Sequence, residues 1–314
     1  MKEKIDYLKY AVSNKYRMIT HSSKKIVYKK MKYGNKQFLD GQSGNDKITE
    51  LLNSKSPFMV ARFGSTELAI MRQCMEMKLG IRKYLQTDLR RQFQNWSGFF
   101  PDNVDLITEF SELMLKSCSL VDLLGVWYNP MEDYFVSKYN DAMVTTELTG
   151  LEPWYHNNPW SKCLKGKKVL VIHPFAETIQ KQYKKKGFIY SGDLLPEFEL
   201  YTVKAVQTIA GEKDERFKTW FEALDYMYEE SVKINFDVAI IGCGAYGFPL
   251  AAKIKNRGKQ AIHLGGPTQL LFGIKGKRWD ERPEVAKFYN EYWVRPGASE
   301  GVNKKSIVEG GCYW

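Results

Sequence analysis

The stretch "FMVARFGSTELAIM" at residues 58–71 changes its periodicity halfway along. Its first four residues are all apolar, which is typical of a strand buried on both faces. Gly64 interrupts the pattern, and apolar residues then recur at helical spacing. The stretch therefore predicts a strand, a tight turn and a helix, with Arg62 on one side of the turn and Glu67 on the other.

The same alternation continues along the chain. Buried strands are predicted at 58–63, 120–127, 168–174, 236–241 and 260–264, with a sixth at 198–204. Helices are predicted at 44–54, 66–78, 105–117, 175–186, 214–233 and 247–257. This order predicts an α/β fold with a Rossmann-like, mostly parallel sheet and helices on both faces. The aromatic-rich stretch 127–160 is predicted as loop and short helix, serving either as a lid or as a satellite core.

Composition places the chain among globular proteins. It has 314 residues, of which 44% are apolar and 26% charged. No apolar run reaches the roughly 18 residues of a membrane span, and the N-terminus lacks the apolar core of a signal peptide. We therefore expect a cytoplasmic protein. The five cysteines are isolated and odd in number, so we expect reduced thiols and no zinc site.

The positive charge is concentrated at the N-terminus. The net charge is +11, and residues 1–36 carry 11 lysines and arginines against two acidic residues. Apolar residues alternate with these lysines, which predicts a basic amphipathic helical segment at 1–36 and a single catalytic domain at 37–314. Such a segment suits an anionic membrane surface at the inner face of the membrane, or packs on the domain through its aromatic residues. No motif indicates nucleic acid as a partner.

A glycine-rich loop follows one of the predicted strands. In "IIGCGAYGFPLAAKI" at 240–254, Gly242, Gly244 and Gly247 match the G-x-G-x-x-G pattern between a strand and a helix. The next strand does not end near the acidic residue that would hold a ribose, so we expect no NAD. A nucleotide or phosphate cradle of another kind and a tight packing turn both remain compatible with the pattern.

Other candidate residues follow the ends of the remaining strands, where ligands of open α/β sheets bind. The segment "HLGGPTQLLFGIKGKRW" at 263–279 combines flexible backbone with cations and suits a diphosphate. The candidates for binding are Gly64, Ser65, His173, Lys204, Gln207, Gly242, Gly244, Tyr246, Gly265, Gly266, Thr268, Gln269, Lys275 and Arg278.

Two interpretations of Arg62 and Glu67 are open. Glu67 can cap the helix that follows the turn and form an ion pair with Arg62. Alternatively, Arg62 binds an anionic group while Glu67 acts on a hydroxyl or a metal ion. Their spacing in the sequence does not separate these interpretations.

The segment "VARFGSTEL" at 60–68 resembles the "RFGDGE"-type segment of GT-D-type bacterial glycosyltransferases. Three further stretches are similar to GT-D-fold-like proteins: "VLVIHPFAETIQKQY" at 169–183, the segment 242–279, and the terminal "EGGCYW". The likeness covers roughly residues 40–314. The resemblance implies a hexosyltransferase that uses a nucleotide sugar, with UDP as the expected nucleotide. Its acceptor would be a glycan or lipid-linked molecule of cell-surface polysaccharide or glycoprotein biosynthesis.

The resemblance also assigns roles. It implies that Glu67 and Arg62 are catalytic and that the strand-end residues above bind the donor. In the family, an Asp-x-Glu pair is associated with a divalent metal, Mn or Mg, but here Ser65 replaces the aspartate and leaves Glu67 as the remaining ligand. A hydroxyl is a poor ligand for a hard cation, so this departure argues against metal dependence. The basic groups Arg62, Lys275 and Arg278 would then neutralise the diphosphate.

Three acidic residues near the second strand, Asp122, Glu132 and Asp133, are weaker candidates for a base. Two other functions stay open. One is a non-catalytic nucleotide- or glycan-binding scaffold, and the other is a nucleotide-cofactor oxidoreductase.

Overall fold

The structure is a computed structural model that describes residues 1–20, 33, 36–303, 305–308 and 310–314. The predicted basic segment at 1–36 therefore lies partly outside the described residues. The described strands form one parallel sheet in the order β1-β4-β3-β2-β8-β7-β5-β6. They are β1 Phe38–Leu39, β2 Phe58–Ala61, β3 Leu123–Val126, β4 Val144–Glu147, β5 Lys168–His173, β6 Glu199–Lys204, β7 Val238–Ile241 and β8 Gln260–His263.

Helices connect these strands. The longer ones are α1 Lys2–Thr20, α2 Gly41–Asn53, α3 Ser65–Lys78, α4 Thr87–Ser97, α5 Val104–Cys118, α6 Glu132–Tyr139, α7 Ala176–Tyr183, α9 Trp220–Val232 and α10 Gly247–Asn256. Single turns of helix are α8 Lys186–Ile189, α11 Thr268–Leu271, α12 Lys277–Asp280 and α13 Pro283–Ala286. Short 3₁₀ turns occur at Leu148–Leu151, Gly244–Tyr246 and elsewhere.

The sheet is buried on both faces. In β2, Met59 and Ala61 belong to a core shared with α3, α5, α6, α9 and α10. Phe58 and Val60 point the other way, into a core shared with α2, α7 and α11. Since successive strand residues face opposite sides, a strand covered on both sides must be apolar throughout. This explains the continuous apolar runs and confirms the predicted α/β fold.

The six predicted strands are all present, but β1 and β4 have no counterpart in the prediction. β4 lies inside 127–160, where only loop and short helix are predicted. Among the described residues of this stretch, α6 is the only α-helix. Periodicity does not reveal β4, since its sequence is "VTTE" and its end residues are partly or fully exposed. α4 is also unpredicted, because 87–97 is mostly polar.

The basic helix α1 packs on the domain through one face. Tyr7 and Arg17 are buried, and the Tyr7 hydroxyl donates to Glu76 Oε1 at 3.0 Å. Arg17 Nη2 lies 2.6 Å from Asp133 Oδ2 on α6. α1 thus shows the aromatic packing that was one of two interpretations of the segment. None of the described helices is both long and apolar enough to cross a membrane.

Candidate active site

A cavity of about 490 Å³ lies at the carboxyl ends of β2, β3, β5, β7 and β8. The chain leads from β2 to β3 and β4 on one side, whereas β8, β7, β5 and β6 lie on the other. The connection from β5 leads outward to β6, whereas that from the adjacent β7 leads back to β8, so connections diverge between β5 and β7. Ligands of open α/β sheets bind at such a switch point. The strand-to-helix turn at 62–67 forms one wall of this cavity.

Arg62 directly follows β2 and stacks on Trp127. Its guanidinium carbon lies 3.7 Å from the centre of the Trp127 ring, at cation–π distance. A side chain on Gly265 would meet Arg62 Cδ at 3.5 Å, so the arginine also lies close to the β8 loop. Burial lowers the Arg62 pKa to about 10, which leaves the group charged at neutral pH. Among the described residues its guanidinium forms no ion pair within 4.0 Å, so the suggested ion pair with Glu67 is absent.

Glu67 lies in the first turn of α3 and is buried. Its carboxylate folds back over Gly64, because a Cβ on that glycine would lie only 1.9 Å from Glu67 Oε2. Burial raises the Glu67 pKa, whereas hydrogen bonds from its own amide and Ser97 and the charge of Arg62 act in the opposite direction. A side chain at Gly64 would thus displace this carboxylate.

Glu152 is a second carboxylate of the cavity, and the sequence gives no signal for it. It follows the 3₁₀ turn Leu148–Leu151 that leads out of β4, the strand that periodicity does not reveal. Burial raises the Glu152 pKa to about 7, against the opposing charges of Arg62 and Arg282. Within the described part of the chain, no hydrogen bond or ion pair engages its carboxylate. A half-buried carboxylate with a pKa near neutrality is suited to accept a proton.

The loop that carries Trp127 is held from behind by Glu132. The Glu132 carboxylate accepts hydrogen bonds from the backbone N–H of Trp127 at 3.1 Å and of Asn129 at 3.0 Å. Tyr33 also donates to it, at 3.3 Å. The loop includes Tyr128 with φ 60° and Met131 with φ 68°, a region that non-glycine residues seldom adopt. Glu132 therefore positions the ring on which Arg62 rests.

Two buried histidines form the floor of the cavity. His173 Nδ1 accepts from the Phe175 backbone N–H at 3.0 Å, so its proton is on Nε2. His263, at the end of β8, is 5% exposed. Burial lowers the pKa of both rings to about 3, and Arg62 adds to the effect at His263. Both imidazoles are neutral at physiological pH.

The glycines of the G-x-G-x-x-G loop are required in part by packing. A Cβ on Gly242 would lie 2.6 Å from the Gly265 carbonyl oxygen, and one on Gly247 would lie 2.3 Å from the His263 ring. Gly244 has φ +57°, which favours glycine. Tyr246 lines the cavity but stacks on Trp220 with a centroid separation of 4.7 Å. The loop thus joins two strand ends tightly, and Gly244 remains its most open glycine.

Several buried polar atoms of the cavity wall have no hydrogen-bond partner among the described residues. They are Trp127 Nε1, His263 Nδ1 and Gln269 Oε1. Gln269 Nε2, by contrast, donates to the carbonyls of Ile274, Lys275 and Tyr313. Buried polar groups are usually satisfied, so unpaired atoms around a cavity indicate a polar ligand.

The C-terminus closes one side of the cavity. The Tyr313 ring contacts Gly266, where a Cβ would lie 2.7 Å from Tyr313 Cε1. Arg278 lies over the Tyr313 ring at 4.8 Å and donates to its hydroxyl at 3.4 Å. Three arginines line the described part of the cavity wall, namely Arg62, Arg278 and Arg282. The cavity therefore carries a positive wall beside two carboxylates.

Most of the predicted site residues meet at this cavity. Those lining it are Arg62, Gly64, Ser65, Glu67, His173, Gln207, Gly242, Gly244, Tyr246, Gly265, Gly266, Gln269 and Arg278. Lining residues that the sequence analysis missed include Trp96, Ser97, Trp127, Glu152, His263, Arg282 and Tyr313. Trp96 lies in the unpredicted helix α4 and Glu152 follows a 3₁₀ turn after the unpredicted strand β4, so no motif indicates either residue.

Three predicted donor-binding residues do not line the cavity. Lys204 Nζ lies 3.1 Å from Glu177 Oε1. Lys275 Nζ lies 5.1 Å from the centre of the Tyr289 ring. Thr268 lies behind Gly242, where a Cβ would be 2.6 Å from its Oγ1.

The three weaker base candidates are also placed elsewhere. Asp122 precedes β3, at the opposite edge of the sheet, and accepts from the Met59 N–H and from Lys255 Nζ at 2.7 Å each. Glu132 and Asp133 hold the Trp127 loop and α1, so all three carboxylates have structural partners.

The residues present do not fit a divalent metal. Glu67 is the carboxylate of the segment at 62–67, and the neighbouring Ser65 offers a hydroxyl. No group of three or more His, Cys, Asp or Glu side chains in the described ranges is arranged to hold a metal ion. Hard cations require several oxygen ligands, and these described residues do not supply them.

A model of the GT-D fold-like domain family matches residues 42–271. This is most of the 314 residues, and the chain belongs to this family. The resemblance given by the sequence is thereby confirmed, and the GT-D glycosyltransferase-like fold supports a transferase type of function.

Two solved structures are similar in fold. One is described as "The highly conserved domain of unknown function 1792 has a distinct glycosyltransferase fold", with 13% identity, a TM-score of 0.42 and coverage of 74% of this chain and 79% of that chain. The other is a selenomethionine-substituted structure of domain of unknown function 1792, with 14% identity, a TM-score of 0.42 and coverage of 75% and 80%. No curated protein matches the chain.

Proposed function

We propose that this protein is a glycosyltransferase that moves a hexosyl group from a nucleotide sugar, with UDP as the expected nucleotide, to a glycan or lipid-linked acceptor. The acceptor would belong to cell-surface polysaccharide or glycoprotein biosynthesis. The observation that carries the proposal is a single cavity in which three arginines lie beside two carboxylates at the ligand edge of the sheet.

The arginines suit the diphosphate of the donor. Guanidinium groups bind phosphate oxygens through paired N–H donors. Stacking on Trp127 holds the Arg62 guanidinium plane in place, and Arg278 and Arg282 supply further positive charge from the opposite loop. As the bond between sugar and phosphate breaks, negative charge grows on the leaving diphosphate, and positioned cations stabilise it. We assign to these arginines the neutralisation for which other enzymes use a metal.

The two carboxylates have different roles in this proposal. The hydroxyl oxygen of the acceptor forms a bond to the anomeric carbon while the bond from that carbon to the diphosphate breaks. The acceptor proton passes to Glu152, whose pKa of about 7 suits a general base. Glu67, held beside Ser97, accepts hydrogen bonds from hydroxyls of the transferred sugar.

Donor binding is tested by thermal unfolding with UDP, a panel of UDP-sugars and NAD, followed by measurement of donor hydrolysis. We expect stabilisation by UDP or one of its sugars, and none by NAD. Arg62→Ala should remove most of that stabilisation and Arg62→Lys part of it, because lysine cannot donate two parallel hydrogen bonds. Arg90→Ala is the control, since Arg90 pairs with Asp102 outside the cavity. If no nucleotide or nucleotide sugar stabilises the protein, the proposal is wrong.

A non-catalytic scaffold is the second candidate, and Ser65 in place of the family aspartate favours it. Such a protein would bind UDP but show neither hydrolysis nor transfer with any acceptor tested. Loss of turnover in Glu67→Gln and Glu152→Gln, with donor binding retained, separates the enzyme from the scaffold. An oxidoreductase would instead be stabilised by NAD.

A further inference from the structure

The outer face of α1 carries an exposed apolar stripe. Ile5 is 50% exposed, Val12 68% and Ile19 73%. Successive residues of an α-helix are rotated by about 100°, which places the stripe within an arc of about 80°. Its members are Met1, Ile5, Leu8, Val12, Tyr16 and Ile19. Five of them lie on α1 and Met1 directly precedes it. Together they are six of the thirteen large hydrophobic side chains that are exposed in the described chain, and no other described element carries as many.

Lysines flank this stripe on both sides. Lys2 and Lys9 lie along one edge and Lys15 along the other, and all three are exposed. The acidic residues of α1 are directed away from the stripe, and one of them, Asp6, pairs with Lys138 at 3.6 Å. An apolar stripe with exposed lysines at both edges is the pattern of a helix that lies in the interface of an anionic membrane.

The inner face of α1 is bound to the segment that directly follows Trp127, a residue of the cavity wall. Asn14 Oδ1 accepts from the Met131 N–H at 3.1 Å, and Arg17 pairs with Asp133 at 2.6 Å. These partners belong to the loop and helix that present Trp127 to the cavity. α1 therefore has two functional faces, one that braces the site and one that faces outward.

We propose that the outer face of α1 docks on an anionic lipid surface, with the apolar stripe buried among lipid chains and the flanking lysines at the headgroups. The charge of the flanking lysines favours a lipid surface over a second copy of the chain as the partner of this face. Two α1 helices that met along the stripe would bring like-charged lysines together, whereas anionic headgroups complement them. Docking on lipid would hold the cavity close to the membrane, and this inference stands independently of the proposed transferase activity.

Vesicle flotation tests the proposal on the full chain. We expect binding to vesicles with about one-third phosphatidylglycerol, weaker binding at high salt, and little binding to pure phosphatidylcholine. The double variant Ile5→Glu/Val12→Glu should lower the partition coefficient by at least about tenfold, since two apolar side chains can no longer be buried. Lys2→Gln/Lys9→Gln/Lys15→Gln should weaken binding chiefly at low salt. Phe188→Glu is the matched control, because Phe188 is 61% exposed on a different element.

Unchanged thermal unfolding of the variants would show that they fold, and unchanged UDP binding would separate this test from that of the proposed function. The proposal is overturned if the wild-type protein does not float, if it binds neutral and anionic vesicles equally, or if the stripe variant binds like the wild type. Light scattering measures the oligomeric state and so tests the alternative, in which a second copy of the chain covers the stripe. A dimer that the stripe variant converts to monomer, without vesicle binding by either, would assign the stripe to a second copy.

Discussion

Replacing Glu152 by glutamine is expected to make the protein more stable and less active. Burial raises the pKa of this carboxyl from 4.5 to about 7, so ionisation is less favourable in the folded protein than in the unfolded chain. Stability is therefore lost as the pH rises from about 4.5 through about 7. The difference in pKa corresponds to about 3 kcal/mol, and screening by water at this half-buried group reduces the expected effect to about 1–2 kcal/mol.

Glu152→Gln removes that charge while keeping the size of the side chain. At pH 8 we expect an increase of about 1–2 kcal/mol in the free energy of unfolding, or about 1.5–3 °C in Tm, and almost no change near pH 4.5. The same change should lower kcat for transfer by about 10²–10⁴-fold, as expected for loss of a general base. Wild-type turnover should rise with pH and level off above about 7, since the base must be ionised.

Thermal unfolding from acid to mildly alkaline pH measures the first effect, and turnover at saturating donor measures the second. Glu147→Gln is the control, because Glu147 is an exposed glutamate at the end of β4. The reasoning is refuted if Glu152→Gln is destabilised at pH 8, or if it keeps the wild-type turnover and pH profile. If Glu152→Gln is more stable at pH 8 but equally active, the raised pKa of Glu152 is supported and its role as the general base is rejected.

Three further outcomes follow from the site and its support. Gly64→Ala would place a Cβ 1.9 Å from Glu67 Oε2 and displace the carboxylate; we expect transfer to fall to the level of Glu67→Gln with the fold kept by circular dichroism, and wild-type turnover would contradict this. Asp133→Ala leaves the buried Arg17 without its partner at 2.6 Å; chemical denaturation should show a loss of about 3–5 kcal/mol, and a loss below about 1 would reject the contact. Excess EDTA should leave the stabilisation by UDP unchanged, because the described carboxylates do not form a metal site; its abolition would require a metal.

The arrangement of the sheet could be predicted because burial on both faces leaves a local signal. Each of the six predicted strands is an apolar or mostly apolar run, and each ends at the same edge. Their position directly after a strand predicts Arg62, Glu67 and the glycines of 242–247 at this edge. The boundary between the N-terminal segment and the catalytic domain at residue 37 stays a prediction. The catalytic roles of Arg62 and Glu67 also stay predictions.

The neighbours of these residues were beyond the reach of local pattern. Glu152 follows β4, a short strand with two threonines and exposed ends, and its raised pKa depends on burial by distant segments. The contacts of Arg62 could not be predicted either, because Trp127 lies 65 positions further along the chain. Only the fold shows that the Arg62 guanidinium stacks on the Trp127 ring and does not pair with Glu67.

The stretch at 58–71 by itself determined a buried strand, a turn and a helix, since hydrophobic period and glycine placement act within a few residues. Only the tertiary structure decided that Gly64 makes room for the Glu67 carboxylate, that Gly242 and Gly247 make room for neighbouring loops, and that the C-terminal Tyr313 closes the cavity. These features depend on segments far apart in sequence. Their separations and their desolvation arise when the sheet assembles.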